Sequence, residues 1–323
     1  MALVNTDAQY NEVYTKKAVA LLEDKSDFAV VSQGAIPMTP VTQYVATYKM
    51  YKASDFRRRY IEKRASGADW KRINLQLKDI SFTCEQRGYE KAVDDRHAAQ
   101  TQNLLENVAM KQVEDGYAEF DIDFASMLTT TNFPTYLTGV ASGAQAEGTS
   151  VIKWSDKTNS TPIDDIIYAK TVIKNKIGVE PDSLAISEDV YNKLRRNAQI
   201  LALMSSYADK RITIEKLKEF FELDNIYVMK GAKTSTNEGQ STQTGTNIST
   251  GDALLYYRGR GGTEDAATIQ VFYNINTYGA GSNGIIIQTY RDENRSSDVS
   301  RVIQDFTTVV SMADGGLLFD SIL

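Results

Sequence analysis

One histidine, one cysteine and a few adjacent carboxylates are the residues of this chain whose types could do chemistry. A Ser-His-Asp triad would have to use His97, and neither a paired-histidine zinc motif nor an imidazole-rich binuclear site can be built. His97 stands in the polar stretch "KAVDDRHAAQ" ahead of a helical pattern, which predicts a partly solvated residue in a helix N-terminal turn. Cys84 alone allows no intrachain disulfide and no cysteine-based zinc cluster, and reads as a small apolar residue in a strand. The pairs Asp94 and Asp95, Asp121 and Asp123, and Asp164 and Asp165 could bind a hard cation. A structural use explains them as well: Asp164 and Asp165 fall in the first turn of a predicted helix, at the positive end of its dipole. "GAGSNG", with Gly279, Gly281 and Gly284, fits G-x-G-x-x-G, but strand-like "IIIQTYRDE" follows where a dinucleotide fingerprint requires a helix. "RGRGG" at 258–262 lacks the Lys and Ser/Thr of a phosphate loop. No catalytic, cofactor or metal site emerges, so the expectation is a non-enzyme.

Charge is the stronger signal. The chain carries a formal net charge of -6, yet "YKASDFRRRYIEKRASGADWKR" at 51–72 holds eight basic residues against three acidic ones. Nucleic acid, a membrane surface or an acidic protein face could each attract such a stretch. Phe56, Tyr60 and Trp70 interleave with the cations, as in stacking surfaces for single strands; a β-hairpin needs the same residues for cross-strand packing. Overall acidity and the lack of a second basic cluster weigh against a dedicated nucleic-acid-binding module.

At 323 residues and 42% hydrophobic content the chain can build a substantial core. It has no run of about eighteen apolar residues and no signal-peptide layout, which predicts a soluble, intracellular product with no membrane partner. The first forty residues pair a short amphipathic helix, 11–22, with an extended stretch containing Pro37 and Pro40, and read as an arm along a surface. Alternating residues from Tyr44, and again Ile73, Leu75, Leu77, Ile80 and Phe82, predict a long hairpin, with a bulge near Asp79 where the alternation shifts phase. Such a hairpin is marginal alone and needs a surface to lie against. Leu104, Leu105, Val108, Val113, Tyr117, Phe120, Phe124 and Leu128 predict a helix of about seven turns, weakened at Gly116. A Thr/Asn/Gly/Ser-rich stretch, 129–150, reads as loop or edge strand.

From residue 152 the punctuation sharpens. Thr161, Pro162, the first-turn acids, the last-turn lysines and Gly178 bound one helix. The strand "DSLAIS", a helix capped by Ser187, a helix capped by Thr213 and the strand "NIYVMKGA" follow, then a polar loop at 232–251 and a strand-rich remainder. The mixture, with strands mostly antiparallel, indicates an α+β fold.

The stretches "WSDKTNSTPIDDIIYAKTVIKNKIGVEPDSLAISEDVYNKLRRNAQI" at 154–200, "ITIEKLKEFFELDNIYVMKGA" at 212–232 and the closing "YRDENRSSDVSRVIQDFTTVVSMADGGLLF" resemble tailed-bacteriophage major capsid proteins of the Hong Kong 97 fold. The resemblance runs from Tyr44 onward. It implies an N-terminal arm (1–43), an extended β-hairpin loop (44–90), a spine helix with the first part of a peripheral domain (91–151), an axial domain (152–280) and return strands of the peripheral domain (281–323).

By the same resemblance the product is a self-assembling shell protein. Hexamers and pentamers would tile an icosahedral phage head around double-stranded DNA, in a virion assembled in the host cytoplasm; an encapsulin-type shell enclosing cargo enzymes is the alternative. The extended loop would lie across a neighbouring subunit, making Arg57, Arg58, Arg59, Lys63, Arg64, Trp70, Lys71 and Arg72 the intersubunit residues, with the 232–251 loop as a candidate near the capsomer axis. Scaffolding, portal and decoration proteins are the further partners implied, DNA contact would be non-specific, and no cofactor is implied. Relatives that cross-link a loop lysine to an asparagine offer no identifiable counterpart pair here. The arm follows Met1 almost directly, which predicts either a separate scaffold or a sequence already shortened, with the existence of a cleaved scaffolding segment left open.

Overall fold

The computed structural model describes residues 9–10, 30–31, 33–51, 61, 63–67, 69–70, 72, 77–100, 104–205, 211–234, 244–261, 267–275 and 284–323. The helix expected at 11–22 lies outside them. The first strands are β1 (Gln9–Tyr10), β2 (Met38–Val41), β3 (Val45–Tyr51), β4 (Leu77–Thr83) and β5 (Glu85–Asp94), followed by helices α1 (Asp95–Gln100) and α2 (Leu104–Met127). Next come β6 (Tyr136–Val140), β7 (Ser150–Ile152), α3 (Pro162–Ile177), β8 (Ser183–Ser187), α4 (Glu188–Leu194), α5 (Ala198–Met204), α6 (Ile214–Phe221) and β9 (Asn225–Met229). The chain closes with β10 (Ala232–Thr234), β11 (Gly245–Asn247), β12 (Ala253–Tyr256), β13 (Ile269–Asn274), β14 (Ile285–Asp292), β15 (Ser297–Val310) and β16 (Gly316–Asp320).

β15 organises the first of two six-stranded sheets. Fourteen residues long, it pairs antiparallel with β5 from Ser297↔Asp94 to Phe306↔Glu85. β14 and β13 also pair with it, β14 from Ser297 to Gln304 and β13 from Phe306 to Val310. β2 extends the sheet beside β13 in parallel, and β1 beside β14. The long helix α2 lies on this sheet because its apolar residues recur every three or four positions. Ala109, Val113, Tyr117, Phe120 and Phe124 pack against Ile285, Ile287, Val302 and Phe306, with the Phe120 and Phe306 rings 4.3 Å apart. Leu104 and Leu105, expected on the same face, are only half-buried. Gly116 is buried at this interface: an added Cβ would stand 3.0 Å from Gln304 Nε2 and 3.2 Å from Ile285 Cδ1. Gln304 Nε2 donates to the Gly116 carbonyl (2.9 Å), and one turn earlier Gln112 Nε2 donates to the Ser300 carbonyl (2.9 Å), so two buried polar contacts fix where the helix sits along the strand.

The second sheet runs β7-β6-β16-β12-β8-β9. Ile166, Ile173, Val190, Leu194, Leu217 and Phe221, from α3, α4 and α6, cluster with Leu184, Ile186, Leu255 and Phe319 of the sheet. Ala185, Leu254, Tyr256 and Leu318, pointing the other way, join the core that contains α2. Burial on both faces suits the Leu184-Ala185-Ile186 centre of β8, every residue of which is buried.

Several expectations change. Most described strand pairs are antiparallel as expected, but in this sheet β6–β16, β6–β7 and β8–β9 are parallel. The Thr/Asn-rich stretch supplies β6 and the start of β7, and β7 is an edge strand. α5 had no forecast; Asn197 initiates it by accepting the Gln199 and Ile200 N–H groups. At the start of α3, Thr161 occupies the cap position without a side-chain cap bond, while Pro162 and the αL Gly178 hold the expected places. The polar 232–251 loop contains the β10–β11 pair; β13 belongs to the first sheet and β16 to the second. No described helix is long and apolar enough to cross a membrane.

Candidate functional site

The basic stretch hangs from a firmly seated base. β3 and β4 pair without interruption from Val45↔Thr83 to Tyr51↔Leu77, so the bulge expected near Asp79 is absent. Leu77 simply faces solvent, while Ile80, Phe82 and Cys84 share the buried face with Tyr48 and Met50. That face rests on β13: Phe82 stacks on Phe272 (centroids 4.3 Å, planes 12° apart) and Tyr48 meets the same ring at 5.4 Å. The Tyr48 hydroxyl and Gln270 Nε2 lie within hydrogen-bond distance of Ser311 Oγ, at 2.9 and 2.8 Å, and Gln270 Nε2 also donates to the Tyr48 hydroxyl. Burial, with the nearby Asp305 charge as the second cause, pushes the Cys84 thiol up to about 11, which suits a packing residue and not a nucleophile.

Lys63, Arg64, Trp70 and Arg72 are all exposed. The Arg64 guanidinium sits over the Trp70 ring, 4.5 Å from its centroid, while the indole remains 77% exposed. Arg57, Arg58, Arg59 and Lys71 lie outside the described residues, as do Phe56 and Tyr60.

Each carboxylate pair has structural work. Asp121 is buried on α2 and accepts the backbone N–H groups of Val30 (2.9 Å) and Val31 (3.0 Å), clamping the N-terminal segment to the long helix. Burial raises its pKa to about 6 against the lowering effect of both N–H groups. Asp123 and Glu119 each accept from Arg87 at 3.1 Å, and that guanidinium also lies over Phe306. Asp165 accepts from Trp154 Nε1 (2.9 Å) and is likewise raised to about 6 by burial, whereas Asp164 takes the Gln199 amide. Asp94 accepts the Arg96 N–H and Asp95 takes a two-pronged contact from Arg291. The Asp121 and Arg87 contacts span 91 and 36 residues in sequence, and no local spacing could have disclosed them. His97 is exposed on α1. Gly279 and Gly281 of the G-x-G-x-x-G stretch lie outside the described residues, and β14, not a helix, follows Gly284. Among the described residues no group of three His, Cys, Asp or Glu side chains could hold a metal ion.

Two sheets, a long helix packed on one of them and the β3–β4 pair seated on β13 make a recurrent arrangement. The structure matches the crystal structure of a phage-related protein from Bordetella bronchiseptica with a TM-score of 0.72 at 18% identity, covering 98% of both chains. It matches the capsid of cyanophage P-SCSP1u with a TM-score of 0.59 at 9% identity, over 90% of this chain and 87% of the other. This is the phage capsid fold. In sequence, the chain is 22% identical over 293 residues to the major capsid protein of Burkholderia phage BcepMu, covering 90% of this chain and 91% of that protein. No family model matches. The α+β capsid fold expected from the sequence is therefore present.

Proposed function

We propose that this protein is a major capsid protein, whose activity is self-association into the hexamers and pentamers of an icosahedral phage head. The observation that carries this reading is the capsid fold together with near full-length similarity to a phage major capsid protein. In these terms residues 1–43 are an arm, 44–90 an extended loop, α2 a spine helix, and 152–280 with 281–323 the axial domain and the return strands. The basic hairpin of one copy would lie on an acidic face of the next. One exposed ion pair adds only about 0–1 kcal/mol, so the hold comes from many such contacts repeated around a closed ring. DNA inside would be contacted weakly and without sequence preference, since an acidic wall does not bind phosphate tightly. Catalysis has no place in this reading.

Purified protein examined by light scattering and negative-stain microscopy, at low and high salt, tests it. Closed shells or capsomer rings are expected, loosening as salt screens the hairpin contacts. A monodisperse monomer under every condition would overturn the reading. Shells isolated with enzyme cargo and no nucleic acid would redirect it to an encapsulin-type compartment.

A further inference from the structure

Between β12 and β13 the chain crosses from the second sheet to the first through "RGRGG", the motif that fits no nucleotide loop. Residues 258–261 of it are described, and their backbone alternates in hand. Gly259 has a φ of 63° and Gly261 of 74°, while Arg260 between them stays out of the left-handed region. Such alternation turns successive N–H groups to one side and makes a concave nest for an anion. The tight crossing accounts for one glycine: a Cβ on Gly261 would stand 2.3 Å from Pro37 Cβ. It does not account for the donors. The Arg258 N–H donates to Asp182 Oδ1 (2.8 Å), but among the described residues nothing accepts the N–H groups of Gly259, Arg260 or Gly261.

The two arginines add to this surplus. Arg258 packs against the N-terminal segment, its Nη2 3.0 Å from where a Cβ on Gly34 would stand, and its buried Nε donates to no described group. Arg260 is exposed and meets no described carboxylate. Donors gathered without acceptors suit an anion and repel a cation. Three backbone donors in a row, flanked by two guanidinium groups, outnumber the two oxygens of a carboxylate and match a tetrahedral oxyanion. We propose that residues 258–261 bind a phosphate group, held by the amides of Gly259, Arg260 and Gly261 with the Arg258 and Arg260 side chains as flanking cations. Inorganic phosphate and the phosphodiester of nucleic acid present the same oxygens to it. The site is separate from the basic hairpin and stands without the capsid reading.

Hydrogen exchange of the purified full-length protein, in phosphate and in chloride at equal ionic strength, tests it. With phosphate at several times its dissociation constant, exchange at the amides of 259–261 should slow at least about fivefold, while the β12 and β13 amides on either side keep their rates. Equal exchange in both salts, or slowing spread evenly along the chain, overturns the proposal. Arg260→Gln changes an exposed side chain and should leave the unfolding midpoint in place. The phosphate concentration needed for protection should rise at least about tenfold for loss of one charge-assisted contact. An unshifted concentration dependence would also overturn the site. A short DNA duplex then separates the two sources. Slowing of the same amides by DNA, reversed in Arg260→Gln, supports the site with a diester as its ligand; slowing by phosphate alone supports it with the free ion.

Discussion

At the scale of single residues, buried carboxylates control the most. Asp121 and Asp165 are both raised to about 6 by burial, above the ordinary aspartate value of about 3.9 they regain on unfolding. The stability they contribute is therefore full below about pH 4 and is lost as pH rises through about 6. Asp121→Asn removes one of these titrations, so denaturant unfolding of the variant across pH 4 to 7 should show a flatter profile than the wild type. The same change replaces an acceptor for two N–H groups with an amide that presents only one oxygen. A cost of about 1–3 kcal/mol is expected, with faster hydrogen exchange at Val30 and Val31. Sequence indicated that the three carboxylate pairs were structural. It could not say which partners they took, because Val30, Arg87 and Trp154 reach their acids only after the sheets and the long helix have come together.

At the scale of elements, the hairpin base and the helix seat make opposite tests of local rules. Phe82→Ala removes a ring stacked on Phe272 and should cost about 3–5 kcal/mol in unfolding free energy. Hydrogen exchange should then loosen across β3 and β4 while β15 stays protected. Gly116→Ala is favoured by helix propensity, by about 1 kcal/mol. Here the added methyl would press on Gln304 and Ile285 at 3.0 and 3.2 Å and disturb the Gln304–Gly116 bond. Overpacking of this kind costs about 1–3 kcal/mol, so thermal unfolding should show net destabilisation. The glycine read from sequence as a weak point of the helix is thus a point where side chains of the sheet press close against the helix. Periodicity disclosed α2, and caps, Pro162 and Gly178 disclosed α3, α4 and α6. Periodicity missed α5, whose seven residues include only Ile200 and Met204 as buried positions, too few for a period to show. The false bulge has a similar cause: Leu77 breaks the alternation as an exposed residue, not as a backbone defect.

At the scale of the whole molecule, the separation of charge is the property that only assembly explains. A stretch with eight basic and three acidic residues sits in a chain of net charge -6, and the proposed assembly would set it against acidic residues of an identical copy. The order of elements made the capsid fold legible before any coordinates, whereas the division of strands between the two sheets was not, since β13 and β16 swap sheets through contacts far apart in sequence. Replacing Arg57, Arg58 and Arg59 together by glutamate should abolish assembly at physiological salt while leaving the circular dichroism spectrum and unfolding midpoint of the protomer unchanged, because surface charges contribute little to folding. The most direct measurement is a cryo-electron microscopy reconstruction of particles formed by the purified protein. Closed shells built of five- and six-membered rings, with each 51–72 hairpin crossing onto the next copy, are predicted. Rings or monomers in which that hairpin folds back on its own chain would contradict the account.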